Sequence, residues 1–387
     1  MNSAHWLIYE PRVEGHHLSW LKYIVHDLVT AGFRLTLAVN GTTESRRLVE
    51  QELAAWKARV GWSFATNESG RLKTRSHIKT AEACRDESGA SQIFFPNLDE
   101  VASRMMRQAA LGWRPPVSWR GRLAGVYLRP RFLAPKERDA LWRWKAAGFR
   151  KLTAEGWWHH LFFLDERMLE TAKRRFPGAP FSLLPDASEG DYLRDPREAR
   201  QRLGLPEGRH IYLFFGGPYK RKGLSVAAEA WRGWRKDGRP FLLCAGRLPE
   251  DKTMRVRLSA LERAGDARVL DRHIHQEEME WCFAASEAVL LPYRKHLGSS
   301  GVLVQAAMAG RPVIASDEGL IAERVRRFEM GWLFQSGDAS SLRSLLGRLE
   351  SGELKASEGA MQKGLKRYAL EFSRKAFRRA LTEGLSG

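Results

Sequence analysis

The sequence feature that most constrains the fold is a regular alternation of short apolar runs with amphipathic segments. Near the start of the chain, an apolar run at 5–9 leads through a loop into an amphipathic segment at 18–31, which Gly32 closes before a second apolar run at 35–39. A strand, a helix and a strand in such close succession predict a βαβ unit with parallel strands and a right-handed crossover. Further apolar runs at 93–95 and 161–164 predict more strands of the same sheet.

A second series begins after residues 177–195, a stretch rich in Pro, Gly and Asp that is typical of a passage between domains. Its predicted strands lie at 211–215, 241–245, 288–291 and 313–315, and helices at 339–350 and 356–386 finish the chain. The sequence therefore predicts an α/β protein of two Rossmann-like, doubly wound domains, at 1–178 and 179–365. Open sheets of this kind bind ligands at the carboxyl ends of their strands.

Composition narrows the class of protein. The formal net charge is +19 and the sequence pI is about 10.1, which favours polyanionic partners such as nucleic acid, acidic lipid or phosphorylated small molecules. Three widely spaced cysteines argue against a disulfide framework or a zinc cluster. The sequence has neither an apolar run long enough for a membrane span nor a secretory signal, so we expect a cytoplasmic protein.

The loop that follows the predicted strand at 211–215 has the composition of an anion site. It contains Gly216 and Gly217, then the consecutive cations Lys220, Arg221 and Lys222, and a helix is predicted to follow. Glycines permit close approach of the backbone to a ligand, and cations and a helix N-terminus both attract an anion such as a diphosphate. On spacing alone, an ordinary turn with solvated lysines explains this loop equally well.

A second loop, at 292–301, follows the strand at 288–291 and precedes a helix predicted at 302–309. Ser299, Ser300 and the free N–H groups at the start of that helix form a potential phosphate cradle. The ordinary alternative is that one of the two serines is a plain N-cap. Two such loops in one sheet domain favour the ligand site over that alternative.

The residues from Gly301 through Gly319 to Glu323, and the later run 331–338, resemble the nucleotide-sugar site of the retaining GT-B glycosyltransferases of family 4. The lead-in at 214–224 resembles the glycine-and-lysine phosphate loop of that family. The resemblance implies the GT-B fold, two Rossmann-like domains that face a cleft, with the helix at 366–387 crossing back to the N-terminal domain. The N-terminal domain matches only through the Gly15, His16 and His17 loop.

The resemblance also implies roles for individual residues. Lys222 would bind the diphosphate, the backbone at Ser299, Ser300 and Gly301 would meet the diphosphate or the sugar, and Gln305 would bond the ribose. The predicted nucleotide-sugar site as a whole comprises Gly216, Gly217, Arg221, Lys222, Arg247, Ser299, Ser300, Gly301, Gln305 and Glu323.

This sequence departs from the family pattern at several of these positions. Leu297 and Gln305 stand where the family places its pair of glutamates, as in members that carry a Ser-Gly pair before the helix, and Gly217 replaces a common arginine. An amide can still bond a ribose hydroxyl, whereas leucine cannot. Arg221 or Arg247 would supply the missing positive charge.

For the chemistry, the resemblance implies transfer without a metal or another cofactor, because lysine, arginine and helix N-termini neutralise the departing diphosphate. The sequence shows no Asp-x-Asp cluster for a cation. The predicted catalytic residues are Lys222 and the adjacent His16 and His17, either of which would orient an acceptor hydroxyl. An adjacent histidine pair is also common in ordinary polar loops.

Much of the positive charge is concentrated at 103–151, where 13 Lys or Arg stand against two acids. Met105, Met106, Trp113, Trp119, Trp142, Trp144 and Phe149 are interleaved with these cations. The pattern suits docking on an anionic membrane, single-stranded nucleic acid, or a solvated basic face over core aromatics. We favour the membrane, because family relatives commonly reach lipid-linked acceptors in this way.

The sequence as a whole therefore predicts a retaining glycosyltransferase that takes a nucleotide sugar to a glycan or lipid-linked acceptor of the cell envelope. It would be cytoplasmic, and the basic region would let it attach peripherally to the inner face of the membrane. One alternative is a catalytically inactive GT-B protein that binds nucleotide or glycan. Another is a nucleic-acid-binding protein that uses residues 103–151.

Overall fold

The chain folds into two compact units, Met1–Pro185 together with Phe377–Gly387, and Asp186–Ala376. The computed structural model describes residues 4–13, 16–134, 140–186, 188–217, 220–234, 239–296, 298–354 and 358–387. The chain passes between the units at 185/186 and 376/377, a few residues after the boundaries expected at 178 and 365.

The first unit is built on a seven-stranded parallel sheet in the order β3-β2-β1-β4-β5-β6-β7. Its strands are β1 (His5–Tyr9), β2 (Arg34–Val39), β3 (Gly61–Phe64), β4 (Gln92–Phe95), β5 (Leu123–Tyr127), β6 (Trp158–Phe163) and β7 (Phe181–Leu183). Its helices are α1 (His16–Thr30), α2 (Thr43–Glu52), α3 (His77–Ser88), α4 (Asp99–Ala110), α5 (Ala140–Ala154) and α6 (Glu166–Arg175). After β3 the chain crosses to the other side of β1 and adds β4, so the carboxyl ends of β1 and β4 form the switch point at which such sheets bind ligands.

The second unit repeats this plan with six parallel strands in the order β10-β9-β8-β11-β12-β13. They are β8 (Ile211–Phe215), β9 (Phe241–Ala245), β10 (Ala267–Leu270), β11 (Ala288–Leu291), β12 (Val313–Ser316) and β13 (Gly331–Phe334). The helices are α7 (Pro196–Leu203), α8 (Leu224–Arg232), α9 (Lys252–Arg263), α10 (Gln276–Ala284), α11 (Gly301–Met308), α12 (Gly319–Phe328), α13 (Ala339–Glu350) and α14 (Glu358–Glu371), and α15 (Arg374–Ser386) then leads into the first unit. The predicted fold of two doubly wound domains is confirmed, and the switch point here lies at β8 and β11.

The single helix predicted at 356–386 is wrong, because α14 and α15 are separate helices. Ser373 lies between them and its hydroxyl accepts the Ala376 N–H at 3.1 Å, as an N-cap does. Helix α15 then buries Phe377 against Trp20, with ring centroids 5.6 Å apart. Leu381 and Leu385 are buried too, so α15 supplies part of the core of the first unit.

The basic region at 103–151 exposes fewer of its apolar side chains than the sequence predicts. Most of the interleaved apolar residues belong to the core because they face the sheet or the α4–α5 contact, and four of them are fully buried: Met105, Met106, Trp119 and Phe149. Trp144 is 48% exposed, whereas Trp113 and Trp142 are half-buried and pack against the core. The prediction of a membrane-facing surface rich in Trp is therefore wrong for most of those residues.

Candidate functional site

The loop after β8 surrounds one lysine. Lys222 ends a single 3-10 turn, and its ammonium lies 3.4 Å from the Phe215 carbonyl oxygen. Gly216 has φ +125°, and a Cβ built on it would lie 1.9 Å from the lysine Nζ. Only glycine at this position therefore leaves room for the lysine head group against the backbone.

Among the described residues, Lys222 has no counter-ion. Burial lowers the pKa of this lysine to about 8, and the nearby charge of Arg221 acts in the same direction. Over the described part of the chain, no carboxylate lies within ion-pair distance of the ammonium. A partly buried cation without a partner is destabilised by lost hydration, so an anion bound beside it would be held strongly.

The loop after β11 packs directly against this lysine loop. Gly223, which precedes α8, has φ +74°, and a Cβ on it would lie 1.8 Å from the Pro292 carbonyl oxygen. The Arg294 amide donates to the Arg221 carbonyl at 2.7 Å, and the Arg221 guanidinium lies 3.4 Å from the His296 Nδ1. The two loops singled out in the sequence thus form one cationic edge on neighbouring strands, β8 and β11.

The start of α11 is open to a ligand. Ser300 occupies the N-cap position, but its side chain makes no capping bond and lies 3.4 Å from the Tyr293 hydroxyl. Within the described residues, the N–H groups of Gly301 and Val302 donate to no acceptor. Free amides and the positive end of the helix dipole are what a phosphate group requires. Ser300 is therefore the N-cap residue by position, as the ordinary alternative expects, but its hydroxyl does not cap the helix.

Ser299 has protein partners. Its hydroxyl accepts from the Arg324 guanidinium at 2.8 Å and also bonds the carboxylate of Asp186. Its carbonyl oxygen lies 2.9 Å from the His296 Nε2. The hydroxyl therefore holds the loop in place, and what Ser299 can offer a ligand is its backbone.

Gln305 lies on α11, half-buried. Its amide nitrogen lies 3.3 Å from the Met279 sulfur and 3.5 Å from the Ser188 hydroxyl. Its amide oxygen is buried and, among the described residues, has no hydrogen-bond partner. A buried acceptor without a donor is rare in folded proteins, and a ligand hydroxyl would satisfy it.

The other predicted site residues lie at or near this edge. Gly217 is half-buried in the lysine loop, and Leu297 lies outside the described residues. Arg247 is exposed after β9, next to Gly246, on which a Cβ would lie 2.5 Å from the Gly216 carbonyl oxygen. Glu323 is exposed on α12.

The first unit has a different set of side chains at its own switch point. His17 Nδ1 lies 3.3 Å from a carboxylate oxygen of Glu10, which follows β1 and is only 2% exposed. The Arg12 amide donates to the other oxygen of Glu10 at 3.1 Å, and the Arg12 guanidinium pairs with Glu100 at 2.5 Å. The side chain of His16 and the whole of Gly15 lie outside the described residues.

Sequence reasoning missed several members of this cluster. The Tyr9 hydroxyl lies 2.9 Å from His77 Nδ1, and burial lowers the pKa of His77 while it raises the pKa of Glu100. Glu10 could have been predicted as a site residue, because it directly follows β1 and ligands bind at the carboxyl ends of the strands in such sheets. His77, 68 residues from Tyr9, had no local signal.

The described residues lack a metal-binding cluster and a membrane-spanning helix. In the described ranges, no three His, Cys, Asp or Glu side chains are grouped as a metal ion would require. No described helix combines the length and the apolar character needed to cross a membrane.

Two parallel-sheet domains of this kind, one with a cationic loop and an open helix start at its switch point, define the GT-B class of folds. The chain resembles solved structures over almost its whole length. HepE from Anabaena, solved with UDP, matches with a TM-score of 0.68 at 14% identity, over 99% of both chains. A glycosyltransferase from Rickettsia africae matches with a TM-score of 0.69 at 11% identity, over 99% of this chain and 98% of that one.

The second unit is similar to a known protein family. Residues 209–351 match the family model described as glycosyl transferases group 1. The amylovoran biosynthesis glycosyltransferase AmsK of Erwinia amylovora is 30% identical over 142 residues, which are 35% of this chain and 34% of that protein. The chain thus matches about a third of the length of this curated relative. The family match includes the whole cationic edge, from Gly216 to Glu323.

Proposed function

We propose that this protein is a glycosyltransferase that moves a sugar from a nucleoside diphosphate to a glycan or lipid-linked acceptor in polysaccharide biosynthesis. The observation that carries the proposal is Lys222, a buried lysine without a carboxylate partner in the described residues, in a loop packed against the one that leads to the open start of α11. The family match over 209–351 supports the reaction class. The names of HepE, solved with UDP, and AmsK, of amylovoran biosynthesis, support the donor and the pathway class.

In this proposal the second unit holds the donor. Lys222 and the free amides of Gly301 and Val302 take the diphosphate, and the Gln305 amide oxygen accepts a hydroxyl of the ribose. The bond from the anomeric carbon to the diphosphate oxygen breaks and the acceptor oxygen bonds that carbon. The lysine charge and the amides stabilise the negative charge that gathers on the diphosphate, so the proposal requires no resident metal.

The first unit would hold the acceptor. His17, oriented by the buried Glu10 carboxylate, can hydrogen-bond an acceptor hydroxyl and polarise it before it reacts. We propose retention of the anomeric configuration on the strength of the family 4 resemblance. Product analysis by NMR of the new linkage tests retention directly.

A nucleotide titration tests the donor proposal. Calorimetry with UDP, GDP, ADP and their sugar conjugates should identify one base class, and Lys222→Ala should weaken its binding by about 10–150-fold, which corresponds to about 1.5–3 kcal/mol for a hydrogen bond to a charged group. Lys220→Ala is the matched control, because Lys220 is exposed in the same turn. If the protein binds the nucleotide sugar but does not consume it when extracts that contain glycans and lipid-linked acceptors are added, an inactive nucleotide-binding protein would be favoured instead.

We also propose that the first unit docks on anionic lipid. The described residues from Val101 to Ala154 contain no Asp or Glu, and exposed on this stretch are Arg104, Arg107, Leu111, Val117, Trp144 and Lys151. Leu111 is 74% and Val117 81% exposed. Exposed apolar side chains among these exposed cations fit the boundary between headgroups and acyl chains.

Vesicle binding tests this docking surface. The double variant Leu111→Ser with Val117→Ser should sediment less with phosphatidylglycerol vesicles than the wild type does, and neutral vesicles should bind neither protein. Leu193→Ser with Val256→Ser is the matched control, because these residues are 82% and 65% exposed in the second unit. Saturable binding to single-stranded RNA with no vesicle binding would overturn the lipid proposal and favour nucleic acid.

A further inference from the structure

The second unit buries an arginine that the donor-site proposal does not use. Arg324, on α12, is 1% exposed, and its guanidinium donates to the Ser299 hydroxyl at 2.8 Å. The same Nη1 atom lies 3.2 Å from the Tyr368 hydroxyl, and the guanidinium carbon lies 4.3 Å from the centroid of the Phe372 ring. The arginine therefore joins the loop before α11 to the end of α14.

A second link runs from the same serine to the start of the unit. Asp186, the first residue of the second unit, is bonded to the Ser299 hydroxyl and lies within the electrostatic influence of Arg324. Burial raises the pKa of Asp186, while the bond from Ser299 and the charge of Arg324 act in the opposite direction. Ser299 thus lies between a buried cation and a carboxylate.

The partners of Arg324 lie close to both places where the chain passes between the units. Asp186 follows the passage at 185/186, and Phe372 precedes the passage at 376/377. The two connecting segments are themselves tied by Glu189 and Arg374, whose side chains bond at 2.7 Å. One side chain therefore contacts the loop that opens α11 and the segment before 376/377, and its charge acts on Asp186 just after 185/186.

Stability alone is a poor explanation for this arrangement. Replacement of a buried ion pair by apolar side chains is often neutral or stabilising, because desolvation of two charges costs as much as their attraction returns. What a buried charged network does provide is a single geometry for the groups it bonds. Here those groups are the Ser299 hydroxyl and, through it, the backbone that precedes the free amides of α11.

We propose that Arg324 is a positioning residue, which fixes the loop before α11 through Ser299 and couples the occupancy of that loop to the two connecting segments. The proposal rests in part on the donor site of the proposed function. A ligand that draws the 299–301 backbone toward itself moves Ser299, and the Ser299 bonds transmit this movement to Asp186 and to the Tyr368–Phe372 pair, whose rings stack with centroids 4.3 Å apart.

Hydrogen exchange of the intact chain without ligand tests the positioning role. Ser299→Ala removes the shared hydroxyl and leaves the buried guanidinium one bond fewer, so the midpoint of thermal unfolding should fall by a few degrees while the fold is kept. Amides at 298–302 should exchange several-fold faster, and Asp186→Asn should produce the same local change. Ser351→Ala is the control, because its exposed hydroxyl bonds a carbonyl of its own helix, that of Arg348. Unchanged exchange at 298–302 in both variants overturns the proposal.

Exchange with UDP present tests the coupling. In the wild type, UDP should slow exchange at 188–192 and 372–376 as well as at 216–223. In Ser299→Ala, affinity should fall about tenfold, as for a modest misplacement of a binding group, and at saturating UDP the protection should remain at 216–223 but disappear from the connecting segments. Arg324→Lys, which keeps the charge but loses the planar guanidinium, should lose the same distant protection.

The outcomes separate the two proposals. If the wild type binds UDP, Lys222→Ala does not, and Ser299→Ala keeps full affinity and distant protection, the positioning proposal is wrong and the donor site stands. If neither UDP nor inorganic pyrophosphate binds the wild type, the donor site fails, and the ligand-free exchange at 298–302 still decides whether Arg324 and Asp186 fix the loop.

Discussion

The two units share one sheet plan and place opposite chemistry at the same point of it. At the switch point of the second unit, the side chains are Lys222 and Arg221, with free amides at the start of α11. At the switch point of the first unit, they are Glu10 and Glu100 with the histidines that contact or neighbour them. The fold therefore supplies the position of a site, while the residues after each strand decide whether that site attracts an anion or hydroxyl groups.

The largest expected effect comes from steric closure of the cationic edge. Gly223→Ala places a Cβ about where the Pro292 carbonyl oxygen lies and forces alanine to φ +74°. We expect nucleotide binding to be lost and the free energy of unfolding to fall by about 1–3 kcal/mol or more, the cost of a strained backbone residue. Calorimetry and thermal unfolding measure the two effects. Gly208→Ala, in open space, should change neither, and equal behaviour of the two variants would contradict the close packing of the loops.

The second effect concerns the acidic switch point. Glu10→Gln removes the charge that orients His17, and we expect the transfer rate to fall by about 10–100-fold, as when outer partners of functional histidines are removed. Nucleotide affinity should stay unchanged, since the donor is held in the other unit. Steady-state kinetics and calorimetry make the comparison. Glu52→Gln, an exposed carboxylate that pairs with Lys22, is the control, and a loss of nucleotide affinity in Glu10→Gln would mean that the two sites are not chemically separate.

The third effect is a pH dependence. Lys222 has a pKa of about 8 in the unliganded protein, and a bound diphosphate must raise it, so binding takes up a proton wherever the free lysine is neutral. Affinity for a nucleoside diphosphate should be nearly constant between about pH 7 and pH 8 and fall by up to about tenfold per pH unit above pH 8. The phosphate itself is fully ionised there, since its second pKa is about 6. Lys222→Arg, which stays charged, should bind equally well from pH 7 to pH 10.

The smallest effect separates an ordinary helix start from an open one. Asp338 caps α13 by accepting from the amides of Ser340 and Ser341, so Asp338→Ala should cost about 1 kcal/mol of stability. Ser300→Ala should cost less, because the Ser300 side chain caps nothing. Denaturant unfolding of both variants measures the difference. An equal loss in both would show that Ser300 acts as a cap, and the start of α11 would then be less open to a ligand.

Local sequence patterns were sufficient for most of the second unit. Its central strands β8, β9, β11 and β12 are continuous apolar runs that end at Gly, Pro or Ser, and the two glycine- or serine-containing loops follow them directly. The strands that were not predicted are of two kinds. β3, β7, β10 and β13 are three or four residues long and lie at or next to sheet edges, while β5 is interrupted by Gly125. Length alone does not explain the difference, since β11 and β12 are also four residues long and were predicted. In most of the missed strands a glycine, serine or arginine breaks the apolar run, so no strand pattern stands out.

The contacts that were not predicted join residues far apart in the chain. Ser299 meets Arg324 and Asp186, and Tyr9 meets His77, and neither arrangement follows from spacing along one helix or strand. In the basic region the local sequence pattern also fails to predict which side chains are exposed. Its cations and aromatics alternate in sequence, but whether Trp119 or Val117 faces water depends on the packing of the region against the sheet.

The return of α15 to the first unit has a consequence for biosynthesis. During translation residues 1–185 leave the ribosome before residues 377–387. The first unit therefore lacks the core residues Phe377, Leu381 and Leu385 until the end of synthesis. The second unit, by contrast, is one continuous segment and can close as soon as residue 376 is free. The part of the molecule that is translated first is therefore the part that is finished last, and until then its apolar surface beside Trp20 is available to chaperones or to aggregation.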